Sequence, residues 1–93
     1  VLIKRFLDIG APNLILPFVQ DEGEAKAAVE ATRYPPKGIR GVSMAQRANR
    51  YGLVTDYHKR VEDELGVIVQ VETLAAVNRI PEIAKQHGID GIF

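Results

Sequence analysis

Short apolar runs alternate with amphipathic stretches along the whole chain, and this alternation limits the fold more than any other feature. The run Asn13–Val19 is too short for most helices and is apolar on both faces, which is typical of a strand covered on both sides. The stretches between the apolar runs have helical spacing, and the connections are short. This order predicts parallel βα units. The predicted strands are Asn13–Val19, Ile39–Ser43, Gly66–Glu72 and Ile89–Phe93.

Capping residues mark the ends of the predicted helices. Gly10 stands just past the first helical pattern, in the usual position after a C-terminal cap. Asp21 and Glu24 resemble a capping box at the start of the helix that follows the first strand. Thr55 and Thr73 are the predicted caps of two later helices.

Two segments are less regular than the others. Met44–Gly52 is an irregular basic stretch. Leu74–Gln86 contains Pro81, which suits the first turn of a helix, so this segment is predicted to form two short helices or one kinked helix.

Two architectures fit parallel βα units: a doubly wound sheet and a (β/α)₈ barrel. The chain has no G-x-G-x-x-G or P-loop glycine pattern, which weakens the case for a nucleotide-binding sheet. A barrel needs about 250 residues, so 93 residues would make roughly a third of one. Val1 begins within a helical pattern and Phe93 ends within a predicted strand. We therefore expect residues 1–93 to be an internal, partial barrel domain, truncated at both ends.

Composition excludes several classes of function. The 12 basic and 12 acidic residues cancel, so the chain lacks the charge that nucleic acid or an anionic membrane would attract. Cysteine is absent, which excludes disulfides, thiolate nucleophiles and cysteine-based zinc sites and permits a reducing cytoplasm. No apolar run approaches the roughly 20 residues that span a bilayer. We expect a cytoplasmic protein without nucleic-acid or membrane partners.

The strongest predicted strand, GVIVQVE, separates its side chains by parity. Its three valines share one face and suit packing against helices, whereas Ile68, Gln70 and Glu72 share the other. In a barrel the active site is built at the carboxyl ends of the strands, where Glu72 stands. A carboxylate there can bind a hard cation such as Mg²⁺. The spacing equally allows Glu72 to be solvated at the start of a loop or paired with an arginine.

Four segments together resemble the HpcH/HpaI aldolase family. They are IKRFLDIGAPNLILPFVQ, ATRYPPKGIRGVSMAQRAN, IVQVET and GIDGIF, and the specific parts are RYPPKGIRG and VQVE. The resemblance runs through the whole chain without an evident gap. The pattern is most similar to that of members acting on 2-dehydro-3-deoxyglucarate, also described as 5-dehydro-4-deoxyglucarate.

The resemblance implies a modified (β/α)₈ TIM barrel of the phosphoenolpyruvate/pyruvate-domain type, usually assembled as a hexamer. Such enzymes are metal-dependent, class II aldolases that cleave 2-keto-3-deoxy sugar acids. From 2-dehydro-3-deoxyglucarate the products are pyruvate and tartronate semialdehyde. The implied cofactor is a divalent metal, Mg²⁺ first, with Mn²⁺ or Co²⁺ possible, and the implied partner is a small 2-oxoacid.

The resemblance also assigns roles to three residues. Glu72 matches the family's metal-ligand glutamate, and Gln70 matches the glutamine at the substrate site. Asp8 matches the catalytic acidic residue that raises the basicity of a histidine base. The histidine and a charge-stabilising arginine would precede Val1, and a second metal-ligand aspartate would follow Phe93. The chain alone is therefore expected to be inactive.

Other polar residues have more ordinary interpretations. Asp8 lies on the same helical stripe as Lys4, which favours solvated surface in the absence of the resemblance. His58 and His87 are expected to be structural or solvated, and no His-x-His or His-x-x-x-His spacing for zinc exists. Arg40 could bind a carboxylate bidentately, but a structural ion pair is the commoner role of such an arginine.

Two alternative functions remain open at this stage. Related barrels cleave acyl-CoA esters of the malyl-CoA or citramalyl-CoA type through a similar enolate. A non-catalytic barrel remnant or interaction module would retain the scaffold without the chemistry. No lysine occupies a predicted strand end, which disfavours a Schiff-base aldolase.

Overall fold

The computed structural model describes residues 2–93, and within them the predicted α/β class with parallel strands is confirmed. Val1, the first residue of the first predicted helix, lies outside the described residues. These residues form two compact units, 2–12 with 30–65 and 13–29 with 66–93. The elements are α1 (Leu2–Asp8), β1 (Asn13–Leu16), α2 (Glu22–Thr32), a 3₁₀ segment (Arg47–Gly52), α3 (Tyr57–Glu64), β2 (Gly66–Val69), α4 (Leu74–Val77), α5 (Ile80–Ala84) and β3 (Gly91–Ile92).

The second unit, 13–29 with 66–93, contains the sheet. Its three strands run parallel in the order β1-β2-β3. Leu16 pairs with Val69, which is fully buried, and the valines of β2 face the helices as the parity of GVIVQVE predicts. Ile15 lies on the opposite face and is 56% exposed. The buried core of this unit consists of Val19, Ala25, Val69 and Ile83.

Helix termini in the second unit follow the predicted capping pattern. The Thr73 hydroxyl accepts a hydrogen bond from the Ala76 N–H at 3.1 Å and caps α4. The Asp21 carboxylate accepts one from the Glu24 N–H at 2.9 Å at the start of α2. Pro81 lies in the first turn of α5, and the segment around it forms two short helices.

The first unit, 2–12 with 30–65, packs around Leu7, Tyr57 and Val61, all of which are buried. Gly10 follows α1 with a φ of 102°, a conformation that suits glycine after a helix end. In the irregular basic stretch, the side chain of Asn49 takes the place of main-chain carbonyl acceptors. Its Oδ1 accepts hydrogen bonds from the main-chain N–H groups of Gln46 and Gly52.

The predicted strand Ile39–Ser43 is wrong. Its backbone has no strand partner among residues 2–93 and instead bonds back to the end of α2. The Ile39 N–H donates to the Glu30 carbonyl at 2.8 Å, and the Arg40 N–H donates to the Arg33 carbonyl at 2.9 Å. These bonds satisfy carbonyl groups that a helix terminus otherwise leaves free.

The predicted cap Thr55 is also wrong. Helix α3 begins one residue later than that cap would place it, with Asp56 in the capping position and no side-chain capping bond. Within residues 2–93, no helix has both the length and the apolar character needed to cross a membrane.

Candidate functional site

Gln70 and Glu72 lie at the carboxyl end of β2, in the second unit. The backbone stays extended beyond the end of the strand, because Phe93 donates to the Val69 carbonyl at 2.8 Å and Val71 donates to the Phe93 carbonyl at 3.0 Å. The predicted alternation therefore continues past β2. Gln70 is half-buried, whereas Glu72 is exposed.

The Glu72 carboxylate is held from the neighbouring strand. Its Oε2 accepts a hydrogen bond from the main-chain N–H of Phe18 at 3.1 Å, and Phe18 follows β1 by two residues. Within residues 2–93, no hydrogen bond reaches the other oxygen, Oε1. The carboxylate thus joins the ends of two adjacent parallel strands and keeps one oxygen free. The sequence pattern did not identify Phe18, since its contribution comes from the backbone.

A second contact links the segments after β1 and β2. The Thr73 hydroxyl donates to the Gln20 side-chain oxygen at 2.6 Å while it caps α4. Sequence analysis identified Thr73 as a cap but missed its partner, which lies 53 positions away. The two contacts link the segment after β1 to the segment after β2 on both sides of the Glu72 carboxylate.

The donor set at this edge suits a hard cation only in part. Oxygen donors such as the free Oε1 of Glu72 are the ligands that Mg²⁺ and Mn²⁺ prefer. Among residues 2–93, however, no three His, Cys, Asp or Glu side chains are grouped to hold a metal ion. Among these residues the edge therefore offers one carboxylate and no complete metal site.

Asp8 lies in the first unit at the end of α1. Its position on the helical stripe of Lys4 predicted a solvated side chain, but the Asp8 side chain is only 15% exposed. Its Oδ1 accepts from Arg40 Nη2 at 2.9 Å, and its Oδ2 pairs with Lys4. The Arg40 side chain is fully buried, and the same nitrogen donates to the Tyr57 hydroxyl at 2.9 Å. The Arg40 guanidinium carbon lies 4.5 Å from the centre of the Tyr34 ring. The predicted structural pairing of Arg40 is confirmed.

The surroundings of this pair favour its charged form. Burial by itself would raise the pKa of Asp8, but the hydrogen bonds from Lys4 and Arg40 outweigh it, so the pKa lies below the ordinary value. Burial opposes the charge of Arg40, yet the bonds to Asp8 and Tyr57 raise the pKa of the guanidinium. Asp8 is therefore ionised at neutral pH.

The two histidines occupy ordinary positions. The His58 Nε2 lies 3.1 Å from the Ser43 carbonyl oxygen, and its ring centre lies 4.8 Å from that of Tyr34. His87 is exposed beside Gly88, which has a φ of 97°.

The structure locates the three predicted site residues in two units, Asp8 in one and Gln70 with Glu72 in the other. Their roles stay predictions.

Comparison with known proteins identifies relatives of the whole chain. A protein family described as HpcH/HpaI aldolase/citrate lyase matches residues 1–93. The chain is 54% identical over 93 residues to a pyruvate aldolase of Rhizobium etli and 48% identical to a 5-keto-4-deoxy-D-glucarate aldolase of Escherichia coli. These alignments cover 100% of this chain but 37% and 36% of those proteins. The chain therefore spans a little over a third of the length of these relatives.

A solved structure is similar as well. The crystal structure of an HpcH/HpaI aldolase/citrate lyase family protein from Burkholderia cenocepacia has a TM-score of 0.95 and 38% sequence identity. The alignment covers 99% of this chain and 37% of that chain.

Proposed function

Because the chain belongs to the HpcH/HpaI aldolase/citrate lyase family, we propose that it is part of a metal-dependent aldolase. The complete protein would cleave a 2-keto-3-deoxy sugar acid to pyruvate and an aldehyde. With 2-dehydro-3-deoxyglucarate as substrate, the aldehyde is tartronate semialdehyde. Two relatives named pyruvate aldolase and 5-keto-4-deoxy-D-glucarate aldolase support this class of substrate.

One structural observation carries the proposal: Glu72 is anchored through Oε2 at the carboxyl end of a parallel sheet and has Oε1 free. The active sites of barrel enzymes are built at that end of the strands. In contrast, a solvated loop glutamate needs no hydrogen bond from an adjacent strand.

We further propose that the three parallel strands belong to a (β/α)₈ barrel. Helices cover the valine face of β2, whereas Ile15 on the opposite face is exposed. In a barrel such a face points inward and is filled by residues from the other strands. The remaining strands, the histidine base, the arginine and the second metal ligand would come from other parts of the complete protein.

Each site residue has a separate task in this proposal. Glu72 would hold a divalent cation through Oε1, and Gln70 would bind and orient the 2-oxoacid with its side-chain amide. The cation would act as a Lewis acid that stabilises enolate charge as the carbon–carbon bond breaks. A base would remove the proton from the C4 hydroxyl, and the C3–C4 bond would break to release the aldehyde. The electron pair of that bond would pass to the pyruvate portion, which takes up a proton at C3. Asp8, ionised beside Arg40, would raise the basicity of the histidine that accepts this proton.

The experiment is a substrate panel on the complete protein. Retro-aldol cleavage of 2-dehydro-3-deoxyglucarate is measured by coupling the pyruvate formed to lactate dehydrogenase. Activity is expected with Mg²⁺, Mn²⁺ or Co²⁺. The activity should be lost after treatment with a chelator and should recover when the metal is returned.

The same panel separates the competing functions. Cleavage of malyl-CoA or citramalyl-CoA without cleavage of sugar acids would show an acyl-CoA lyase. No cleavage of either class, together with no pyruvate-dependent metal binding, would indicate a non-catalytic barrel. Full activity in excess chelator would contradict the metal-dependent mechanism.

A further inference from the structure

The segment between β1 and α2 departs from the regular ladder at one point. Gln70 donates to the Leu16 carbonyl at 2.8 Å, and the Gln70 carbonyl accepts from Val19 at 2.9 Å. In a regular parallel ladder, one residue bonds to the two neighbours of a single partner, so the second bond would come from Phe18. One extra residue therefore lies in this strand extension. Such a bulge re-aims groups beside many active sites.

The bulge gives Phe18 an unfavourable backbone conformation. Its φ is 57°, in the left-handed region that bulky side chains rarely occupy. The strain brings no burial of the ring, because Phe18 is 56% exposed. The main-chain N–H of Phe18 is free to leave the ladder, and it donates to Glu72 Oε2.

We propose that Phe18 is a positioning residue whose main-chain N–H orients Glu72 for a divalent cation. This inference rests on the proposed function of Glu72 as a metal ligand. With Oε2 engaged by the N–H, Oε1 is the Glu72 oxygen that would hold the cation. The N–H would hold the carboxylate in place before the metal binds.

The bulge also has a structural consequence that must be separated from this role. It brings Val19 into the buried core beside Val69, a position that regular alternation would give to Phe18. A bulge that served only the core would influence stability and leave metal affinity unchanged. Metal affinity is therefore the measurement that distinguishes the two roles.

The test replaces the amide at position 18 of the complete protein with an ester, by incorporating phenyllactic acid. This change removes the N–H and keeps the ring and the strand connection. The dissociation constant for Mn²⁺ is measured by electron paramagnetic resonance, with metal alone and no substrate. Loss of a partner that orients a metal ligand typically weakens affinity by about 10- to 100-fold, and we expect a loss in that range.

Two further variants serve as controls. An ester at position 19 removes the Val19 bond to Gln70 and is expected to weaken the sheet without changing Mn²⁺ affinity. Phe18→Gly keeps the N–H and tolerates a positive φ, so its affinity is expected to match the wild type. An equal loss in the position 19 ester, or a loss in Phe18→Gly, would overturn the proposal.

Glu72→Gln separates failure of this inference from failure of the proposed function. If Glu72→Gln weakens Mn²⁺ binding and the position 18 ester does not, Phe18 has no positioning role and Glu72 remains a ligand. If wild-type protein does not bind Mn²⁺, or Glu72→Gln binds it unchanged, both proposals fail.

Discussion

Arg40 Nη2 donates a hydrogen bond to Asp8 Oδ1 at 2.9 Å, although the two residues are 32 positions apart in the sequence. The guanidinium is fully buried, shares the same nitrogen with the Tyr57 hydroxyl and stacks near the Tyr34 ring. A buried cation depends on its counter-charge, because removing one partner leaves an uncompensated charge in the interior. Asp8 therefore has a stabilising role that is independent of catalysis.

Asp8→Asn is expected to lower the free energy of unfolding of the complete protein by roughly 3 kcal/mol, because it leaves Arg40 buried without a carboxylate. Asp56→Asn is the matched control, since Asp56 forms an exposed ion pair with Arg60, and its loss is expected to stay below about 1 kcal/mol. Urea unfolding measures both. Adding Arg40→Met to Asp8→Asn should recover part of the loss. Equal effects of the two single changes would contradict this account.

The stability difference between wild type and Asp8→Asn should depend on pH. Because the folded-state pKa of Asp8 is lowered, its stabilising contribution is complete above the ordinary carboxyl pKa of about 3.9. That contribution is lost as the pH falls through the lower, folded-state pKa. Arg40 stays charged and Tyr34 stays neutral in this range, because the pKa of each lies above its ordinary value. Urea unfolding between pH 7 and pH 3 should show the difference shrinking only at the acid end, and a difference that grows there would be evidence against the pairing.

Gly38, within RYPPKGIRG, is required by a close approach of backbone. A Cβ at this position would lie 2.3 Å from the Glu30 carbonyl oxygen and 2.4 Å from the Arg33 carbonyl oxygen. Gly38→Ala is therefore expected to destabilise the protein by about 2 kcal/mol or more, since main-chain atoms must move. At Gly23, near the start of α2, the nearest atom is a side-chain oxygen of Asp21 at 3.3 Å. Thermal unfolding should show little change for Gly23→Ala, and similar shifts for both variants would refute the steric explanation.

Gln70 is proposed to contact the 2-oxoacid and not the cation. Gln70→Leu is expected to raise KM for the sugar acid by about 10-fold, the loss of roughly one hydrogen bond, while Mn²⁺ affinity stays unchanged. Gln86→Leu is the control, because Gln86 follows α5 and its side-chain amide bonds only to the Glu82 carbonyl among the described residues. Steady-state kinetics and metal titration check the two expectations. An unchanged KM would remove Gln70 from the substrate site.

Local patterns predicted the second unit well because its contacts follow strand and helix periodicity. The alternation in GVIVQVE correctly separated Val67 and Val69, which are buried, from Ile68, Gln70 and Glu72, which are not. Thr73 needs only the next turn of the chain to act as a cap, and it was predicted for that reason.

Contacts between distant segments were beyond local patterns. Ile39–Ser43 has the composition of a strand, but Ile39 bonds to the Glu30 carbonyl at the end of α2. The N–H of Phe18 is directed to Glu72 by a bulge. Pro17 was the local sign that the regular strand ends before Val19, because proline is rare inside a regular strand. The pairing of Asp8 with Arg40 likewise depends on tertiary structure.

The most direct test of the account is the Mn²⁺ affinity and retro-aldol rate of Glu72→Gln in the complete protein. The exchange keeps the size of the side chain and removes the anionic ligand, so both quantities are expected to fall by about 10²-fold or more, as for the loss of a metal ligand. Glu24→Gln, an exposed change on α2 in the same unit, should leave both at wild-type values. Unchanged metal affinity and unchanged rate in Glu72→Gln would contradict the assignment of Glu72 as a metal ligand.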